Sequence, residues 1–143
     1  MTGRMNDREK QELIQKALEA RRMAYAPYSH YLVGAALFTE DGSLYQGGNI
    51  ENASYGATNC AERTAVFKAV SDGKRRIKAL AVAGGLEGSD PTDYAYPCGI
   101  CRQVLQEFGT EDTTLLIARS VTDYREFGLK ELLPFGFGGE SIK

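Results

Sequence analysis

The sequence predicts an α/β fold, a three-layer α/β/α sandwich around a mixed sheet of about five strands. Helical and strand patterns alternate along the chain, in the order helix, two hairpin strands, helix, strand, helix, strand. Short apolar runs such as residues 77–84, which glycines bound, are expected of strands inside a sheet. At 143 residues the chain is long enough for one core, so we expect a single domain over residues 1–143.

The first element is predicted to be an amphipathic helix over residues 7–25. Asn6 and Glu9 have the spacing of a capping box, in which each residue bonds the backbone of the other. Apolar residues recur at helical intervals after them. Pro27 is expected to end the helix, because proline lacks the backbone donor that a helix interior needs.

A hairpin is predicted next. Residues 31–39 (YLVGAALFT) are an apolar run typical of a buried strand. Glu40-Asp41-Gly42 then has the composition of a tight turn, and residues 43–50 return as the second strand.

The second half of the chain alternates helices with strands. A glycine or a proline ends each predicted helix, at Gly73, Gly109 and Pro134. A polar loop, for which the sequence indicates no function, precedes the second of these helices. The expected helices cover residues 60–71, 98–108 and 129–133, the strands residues 77–84, 113–118 and 122–127, and the loop residues 85–97.

Composition and charge exclude several classes of function. The chain is 43% hydrophobic and 25% charged, with a net charge of −2, which argues against a nucleic-acid partner. No apolar run is long enough to cross a membrane, and residues 1–10 lack the apolar core of a signal peptide, so we expect a cytoplasmic protein. One basic cluster is interpreted as a solvated helix cap, namely Lys74, Arg75, Arg76 and Lys78.

The most informative pattern combines three cysteines with one glutamate. Cys60-Ala-Glu62 is followed, after an intervening segment, by Pro97-Cys98-Gly-Ile-Cys101. Three thiolates hold a Zn²⁺ and leave its fourth tetrahedral position for water, as a catalytic zinc requires. Glu62 is then placed to shuttle protons to and from that water. Known zinc deaminases have such a Pro-Cys-x-x-Cys element and a glutamate that is not a ligand, so the pattern predicts a zinc-dependent deaminase.

The spacing of these residues requires two helix N-termini at the metal. Residues two apart in mid-helix point to different sides, so Cys60 and Glu62 converge only in a first turn. Cys98 and Cys101 are three apart and share a helix face, and Pro97 suits a helix start. The positive ends of both helix dipoles help to keep the thiols ionised.

Charge counting points to a cation beside the ligands. Zn²⁺ with three thiolates carries a formal charge of −1, so its water is acidified less than at a site with neutral imidazoles. We expect the adjacent Arg63 to donate hydrogen bonds to the ligand sulfurs, and Gln103 to hold its guanidinium in place. The alternative for Arg63 is a surface ion pair.

The cysteines have two other interpretations. A redox pair at Cys98 and Cys101 leaves Cys60 and Glu62 unexplained. A structural zinc requires a fourth ligand, and the one histidine, His30, lies in a Tyr-Ser-His-Tyr turn with no paired ligand nearby.

At these residues the chain resembles the small cytidine deaminases of the homotetrameric, three-cysteine class. The resemblance covers nearly the whole length. The matching segments are Ala26-Pro-Tyr-Ser29, Val33-Gly-Ala-Ala36, Gly48-Asn-Ile-Glu-Asn-Ala-Ser54, Asn59-Cys-Ala-Glu-Arg-Thr64, Pro97-Cys-Gly-Ile-Cys-Arg-Gln-Val104 and Glu131-Leu-Leu-Pro134.

The resemblance implies a reaction, a metal and an assembly. It implies one zinc per chain, held by Cys60, Cys98 and Cys101, with Glu62 as the proton shuttle. The reaction is hydrolytic deamination of cytidine and 2′-deoxycytidine to the uridines, with release of ammonia, as in pyrimidine salvage. The assembly is a homotetramer whose sites are shared between subunits.

It also implies the nucleoside contacts. Asn49 and Glu51 would bind the ribose hydroxyls, which suits two residues on one side of a strand. Tyr31 stands where the family has a phenylalanine that packs on the base. Tyr55 and Phe137 would reach a neighbouring subunit's site, and the nearby Phe135 competes with Phe137 for that role.

Two departures from the family pattern leave the substrate range open. Tyr96 and Ile100 each replace a commonly smaller residue beside the ligands, and we expect both to reshape the pocket wall. The alternatives are a deaminase of another aminopyrimidine nucleoside, such as a nucleoside antibiotic, and a non-catalytic, zinc-structural module that binds nucleosides. A structural module has no use for a carboxylate like Glu62 beside the metal.

Overall fold

The computed structural model describes residues 5–142, which fold around one mixed sheet of five strands with helices on both faces. The order of strands in the sheet is β2-β1-β3-β4-β5. The helices are α1 (Asp7–Ala20), α2 (Ala61–Ser71), α3 (Gly99–Phe108) and α4 (Leu129–Leu132), and the strands are β1 (Tyr31–Thr39), β2 (Leu44–Gly48), β3 (Ile77–Leu86), β4 (Thr114–Ala118) and β5 (Tyr124–Gly128).

The chain connections explain the strand directions. β1 and β2 form the predicted hairpin, and Gly42 takes the left-handed backbone conformation (φ 87°) that its turn requires. β1 also pairs antiparallel with β3, while β3 and β4 are parallel because α3 crosses over between them. β5 returns antiparallel to β4 at the edge of the sheet.

Two apolar clusters confirm the three-layer architecture. Successive residues of the central strands face opposite sides, so Leu80 and Val82 pack under α2, α3 and α4, while Ala79 and Ala81 pack under α1. Small residues let α1 lie close to the sheet. A Cβ on Gly34 would lie 2.1 Å from the carbonyl oxygen of Ala17 in α1.

The predicted boundaries differ from the observed ones mainly at the first helix. The capping box of Asn6 and Glu9 is present, but α1 ends at Ala20 and a short 3₁₀ turn follows, so the prediction to residue 25 was too long. The reason is a backbone pairing. Tyr25 bonds Asn49 and Glu51 through its main chain, which requires an extended conformation before Pro27 is reached.

The remaining differences are one or two residues at element ends, and the hairpin is one example. There the second strand covers Leu44–Gly48, shorter than the predicted residues 43–50. β3 extends to Leu86, because its last residues pair with Tyr31 and Leu32 of β1. No helix within residues 5–142 has the length and apolar character needed to span a membrane. The predicted domain also includes residues 1–4 and 143, which lie outside the described residues.

Candidate active site

Two helix N-termini bring the three cysteines together. Cys60 is the N-cap residue of α2 and Cys98 that of α3, while Cys101 lies in the first turn of α3. The Sγ atoms of Cys60 and Cys98 are 3.8 Å apart, and those of Cys98 and Cys101 are 3.5 Å apart. All three sulfurs lie within 4.8 Å of one another. The predicted convergence at first turns is therefore observed.

The donor set suits a tetrahedral zinc ion. Zinc–sulfur bonds of about 2.3 Å at tetrahedral angles place two sulfurs roughly 3.8 Å apart, close to the observed separations. Among residues 5–142, no histidine or carboxylate joins this cluster as a fourth donor. Three sulfurs at two positive helix ends thus form a site for zinc with one coordination position left for a non-protein ligand.

Hydrogen bonding makes the Cys60 thiol more easily ionised than the Cys101 thiol. A hydrogen bond from Cys101 lowers the pKa of Cys60 to about 5, and Arg63 acts in the same direction. The Nη2 atom of Arg63 donates to Cys60 Sγ at 3.4 Å. The bond to Cys60 raises the pKa of Cys101, so the two thiols share one ionisation. A metal cation would replace the protons of the remaining thiols.

Glu62 follows Cys60 in the first turn of α2 and is almost completely buried, with 5% of its surface exposed. Burial raises the pKa of its carboxyl group to about 7, because the charged form loses its hydration. A carboxyl group with this pKa accepts and donates protons readily near neutral pH.

Arg63 lies beside the cysteines as predicted, but the predicted hydrogen bond from Gln103 to its guanidinium is not observed. Arg63 bonds Cys60, while its Nε atom is buried and has no hydrogen-bond partner within residues 5–142. Gln103 does not contact this guanidinium. Its Nε2 atom donates to the carbonyl oxygen of Phe137 at 2.8 Å, because the C-terminal segment packs along α3 and takes up the amide.

A cavity of about 320 Å³ opens beside the cluster, and Glu62 lies in its wall with Cys60 and Cys98. Tyr31 and Asn49, for which the sequence analysis predicts nucleoside contacts, line this cavity as well. The amide of Asn49 accepts from the Val33 backbone N–H and donates to the Tyr31 carbonyl, both at 2.9 Å. These bonds hold Asn49 against the N-terminal end of β1. One N–H and one oxygen lone pair of the Asn49 amide remain available.

Glu51 lines a neighbouring cavity of about 380 Å³ rather than the first one. Its carboxylate accepts bonds from the backbone N–H groups of Tyr28 (3.0 Å) and Ser29 (3.1 Å) and from the Ser29 hydroxyl. The Ser29 hydroxyl is the largest of the effects that lower the pKa of Glu51, so the group is anionic. Thr58 belongs to both cavities and marks their junction.

The aromatic residues that were predicted to reach a neighbouring subunit's site lie on the surface. Tyr55 is 79% exposed and packs edge to face on Tyr28 at 6.3 Å. Phe137 is 58% exposed, and Phe135 is fully exposed with a left-handed backbone (φ 56°). None of the three lines the cavity beside the cysteines.

Of the two residues that were expected to reshape the pocket wall, only one lines the cavity. Tyr96 lines the cavity beside the cysteines, but Ile100 is 61% exposed and does not. The contact of Glu51 with the backbone of Tyr28 and Ser29 was not predicted, although these residues lie in two of the segments that match the family. His30 is a turn residue, as expected, with a left-handed backbone and a 3.3 Å contact to Glu87.

A family model described as the cytidine and deoxycytidylate deaminase zinc-binding region matches residues 7–117. The chain belongs to this deaminase family. It is therefore an enzyme, and zinc is its cofactor, for which the cluster of Cys60, Cys98 and Cys101 is suited.

Named relatives agree with this assignment. The cytidine deaminase of Halalkalibacterium halodurans is 48% identical over 134 residues, which cover 94% of the chain and 98% of that relative. The cytidine deaminase of Sporosarcina psychrophila is 48% identical over 132 residues, covering 92% of the chain and 93% of the relative.

Solved structures of deaminases have the same fold. A crystal structure of cytidine deaminase from Burkholderia pseudomallei matches with a TM-score of 0.80 and 44% identity, covering 88% of the chain and 97% of that structure. The cytidine deaminase from Mycobacterium tuberculosis matches with a TM-score of 0.74 and 38% identity, covering 89% of the chain and 95% of that structure. The predicted fold class is confirmed.

Proposed function

We propose that the protein hydrolyses cytidine and 2′-deoxycytidine to uridine and 2′-deoxyuridine, releasing ammonia. The observation that carries this proposal is a buried glutamate, Glu62, in the wall of a cavity that also exposes the zinc-suited sulfurs. The relatives named as cytidine deaminases support the choice of substrate.

Zinc, when bound, supplies a Lewis acid that lowers the pKa of water and so provides a nucleophile at neutral pH. Glu62 takes the proton that this water loses and delivers it to N3 of the pyrimidine ring. The water oxygen adds at C4, and Glu62 then moves the proton of the new C4 hydroxyl to the amino group. The C4–N bond breaks, ammonia leaves, and the C4 carbonyl of the uridine product forms. A pKa near 7 suits a group that must both accept and give protons.

Arg63 supplies the positive charge that a three-thiolate site lacks. Its guanidinium lies 3.4 Å from Cys60 Sγ, so it withdraws electron density from that ligand and stabilises the thiolate. Water is acidified more strongly when the ligands donate less charge to the metal. Gln103 acts less directly, by fixing the C-terminal segment next to α3.

The two adjoining cavities suit the two halves of a nucleoside. The base occupies the cavity with Glu62, with Tyr31 against the ring, and the ribose extends past Asn49 toward Glu51. Both residues have hydrogen-bonding capacity left for hydroxyl groups, since Glu51 is anionic and the Asn49 amide is only partly used.

The assembly is proposed to be a homotetramer in the cytoplasm. Large exposed aromatic side chains support an interface, because Tyr55, Phe135 and Phe137 are costly to leave in water. We propose that Tyr55 and Phe137 contact the nucleoside in a neighbouring subunit, with Phe135 beside them.

The non-catalytic alternative is not favoured, because a structural module gains nothing from burying Glu62 at a cost in solvation. The test is to mix the zinc-loaded protein with cytidine and follow uridine and ammonia. Equal amounts of both products are expected. A zinc-bound protein that forms neither product would refute the proposed substrate, and a panel of other aminopyrimidine nucleosides would then identify the correct one.

A further inference from the structure

The loop before Pro97, which the sequence left without a function, is held against the β4–β5 hairpin by a cluster of four side chains. The ring of Tyr94 makes cation–π contacts with two guanidinium groups, with Arg119 Cζ at 4.5 Å and Arg125 Cζ at 4.1 Å from its centroid. Its hydroxyl donates to Asp123 at 2.5 Å, and Asp123 is paired with Arg119. We call these four residues the Tyr94 clamp.

The clamp is connected to the active-site cavity through Tyr96. The Nη1 atom of Arg125 donates to the Tyr96 hydroxyl at 2.6 Å, and the Tyr96 ring packs edge to face on Phe127 at 5.9 Å. The same Tyr96 lines the cavity that contains Glu62 and Cys98. Arg125 therefore lies between a cation–π contact with Tyr94 and a wall residue of the site.

The reaction geometry indicates which part of the base faces this wall. C4 of the pyrimidine must face the sulfur cluster, and N3 must reach Glu62 on α2. The other neighbour of C4 is C5, which then points away from Glu62. Tyr96 and Ala95 enter the cavity from the segment that leads into α3, the second helix that holds the sulfurs.

We propose that Tyr96 closes the cavity around C5 of the pyrimidine, and that Arg125 is the positioning residue that holds it there. The inference rests on the proposed function for the orientation of the base. An unclamped tyrosine rotates about χ1 and χ2, so it excludes a bulky C5 substituent less strictly than one fixed at its hydroxyl and its ring. The enzyme should therefore prefer cytidine to 5-methylcytidine, and this preference should depend on Arg125.

The experiment measures kcat/KM for cytidine and for 5-methylcytidine with the zinc-loaded protein. Tyr96→Ala should lower the cytidine preference by about tenfold or more, the usual effect of one methyl group in a tight pocket. Arg125→Ala and Tyr96→Phe should each lower it several-fold. The double variant Tyr96→Phe/Arg125→Ala should show the same preference as either single variant, because both changes remove the hydrogen bond between Arg125 and the Tyr96 hydroxyl. Arg125→Lys, which keeps a donor, should restore part of the preference.

The matched control is Arg75→Ala, at an exposed arginine with no side-chain hydrogen bond among the described residues. It should leave the preference unchanged. Thermal melting shows whether each variant is folded. If Arg125→Ala is unfolded, the comparison of Tyr96→Phe with the unmodified protein tests the inference instead. A preference unaffected by Arg125→Ala in a folded protein, or additive effects in the double variant, would overturn the inference.

Failure of the proposed function is detected separately, as absence of cytidine turnover by the unmodified protein. In that case the same variants are compared by their dissociation constants for uridine and 5-methyluridine, which require binding only. A uridine preference that falls on Arg125→Ala supports the role of the clamp. An unchanged preference overturns it.

Discussion

Replacing Glu62 by glutamine should abolish most of the activity and at the same time stabilise the protein. Burial raises the pKa of this carboxyl group from its ordinary value of 4.5 to about 7. At about 1.4 kcal/mol for each pKa unit, the ionised side chain destabilises the fold by roughly 3 kcal/mol. Glutamine has nearly the same shape and carries no charge, so Glu62→Gln removes this cost.

The sign of the pH dependence follows from the raised pKa. Between pH 4.5 and about 7 the folded protein binds more protons at Glu62 than the unfolded chain does, so its stability falls as the pH rises. The stability gain of Glu62→Gln should be absent below pH 4.5 and complete above pH 7. It should appear as an increase of about 10 °C in melting temperature at pH 8.

Two assays check this prediction. Turnover of cytidine should fall by a factor of about 10²–10⁴ or more, since the same group serves several proton transfers. Thermal melting at pH 4.5 and pH 8 measures the stability difference, and Glu107→Gln, on the exposed face of α3, is the matched control. A Glu62→Gln protein that is no more stable than the unmodified one at pH 8, or that keeps full activity, contradicts the reasoning.

Three further predictions concern the metal, the fold and the C-terminal segment. Arg63→Ala removes the guanidinium beside Cys60 and should weaken zinc retention against a chelator by about 10–100-fold, whereas Arg75→Ala should not; equal retention in both would refute the charge argument. Gly34→Ala forces a Cβ to within 2.1 Å of a backbone oxygen of α1 and should destabilise the fold by about 3 kcal/mol or more in denaturant unfolding. Gly139→Ala, where an added Cβ meets no described atom within 4 Å, should be neutral, and similar effects of the two changes would contradict the packing account. Truncation after Pro134 should raise KM for cytidine or disrupt assembly in light scattering, and a fully active truncated tetramer would show that Phe135 and Phe137 are dispensable.

The parts of the site that the sequence predicted well depend on short-range geometry. Cys98 and Cys101 are three residues apart, so a helix start brings their sulfurs together whatever the rest of the chain does. The first turn at Cys60 and Glu62 was likewise predicted, because the helix expected over residues 60–71 begins there. The continuous apolar runs of the central strands also predicted that both faces of the sheet are covered.

The parts that were missed depend on contacts between distant segments. Gln103 was assigned to Arg63 because it is close in sequence, but the C-terminal segment lies along α3 and binds its amide instead. Tyr25 pairs with residues 49–51 and so shortens α1, which no helical periodicity indicates. Tyr94 meets Arg119 and Arg125 only because the loop runs beside the β4–β5 hairpin.

The placement of the sulfurs on two helices also makes the metal site depend on the folding of the whole domain. Cys60 precedes β3 in the chain and Cys98 follows it, 38 positions further along. Their sulfurs lie together in the structure that has β3 in the sheet between β1 and β4 and both helices packed on the same face. A nascent or misfolded chain therefore offers zinc a weaker site than the finished domain. Zinc binding is therefore coupled to folding, and the active site is complete only in the folded domain.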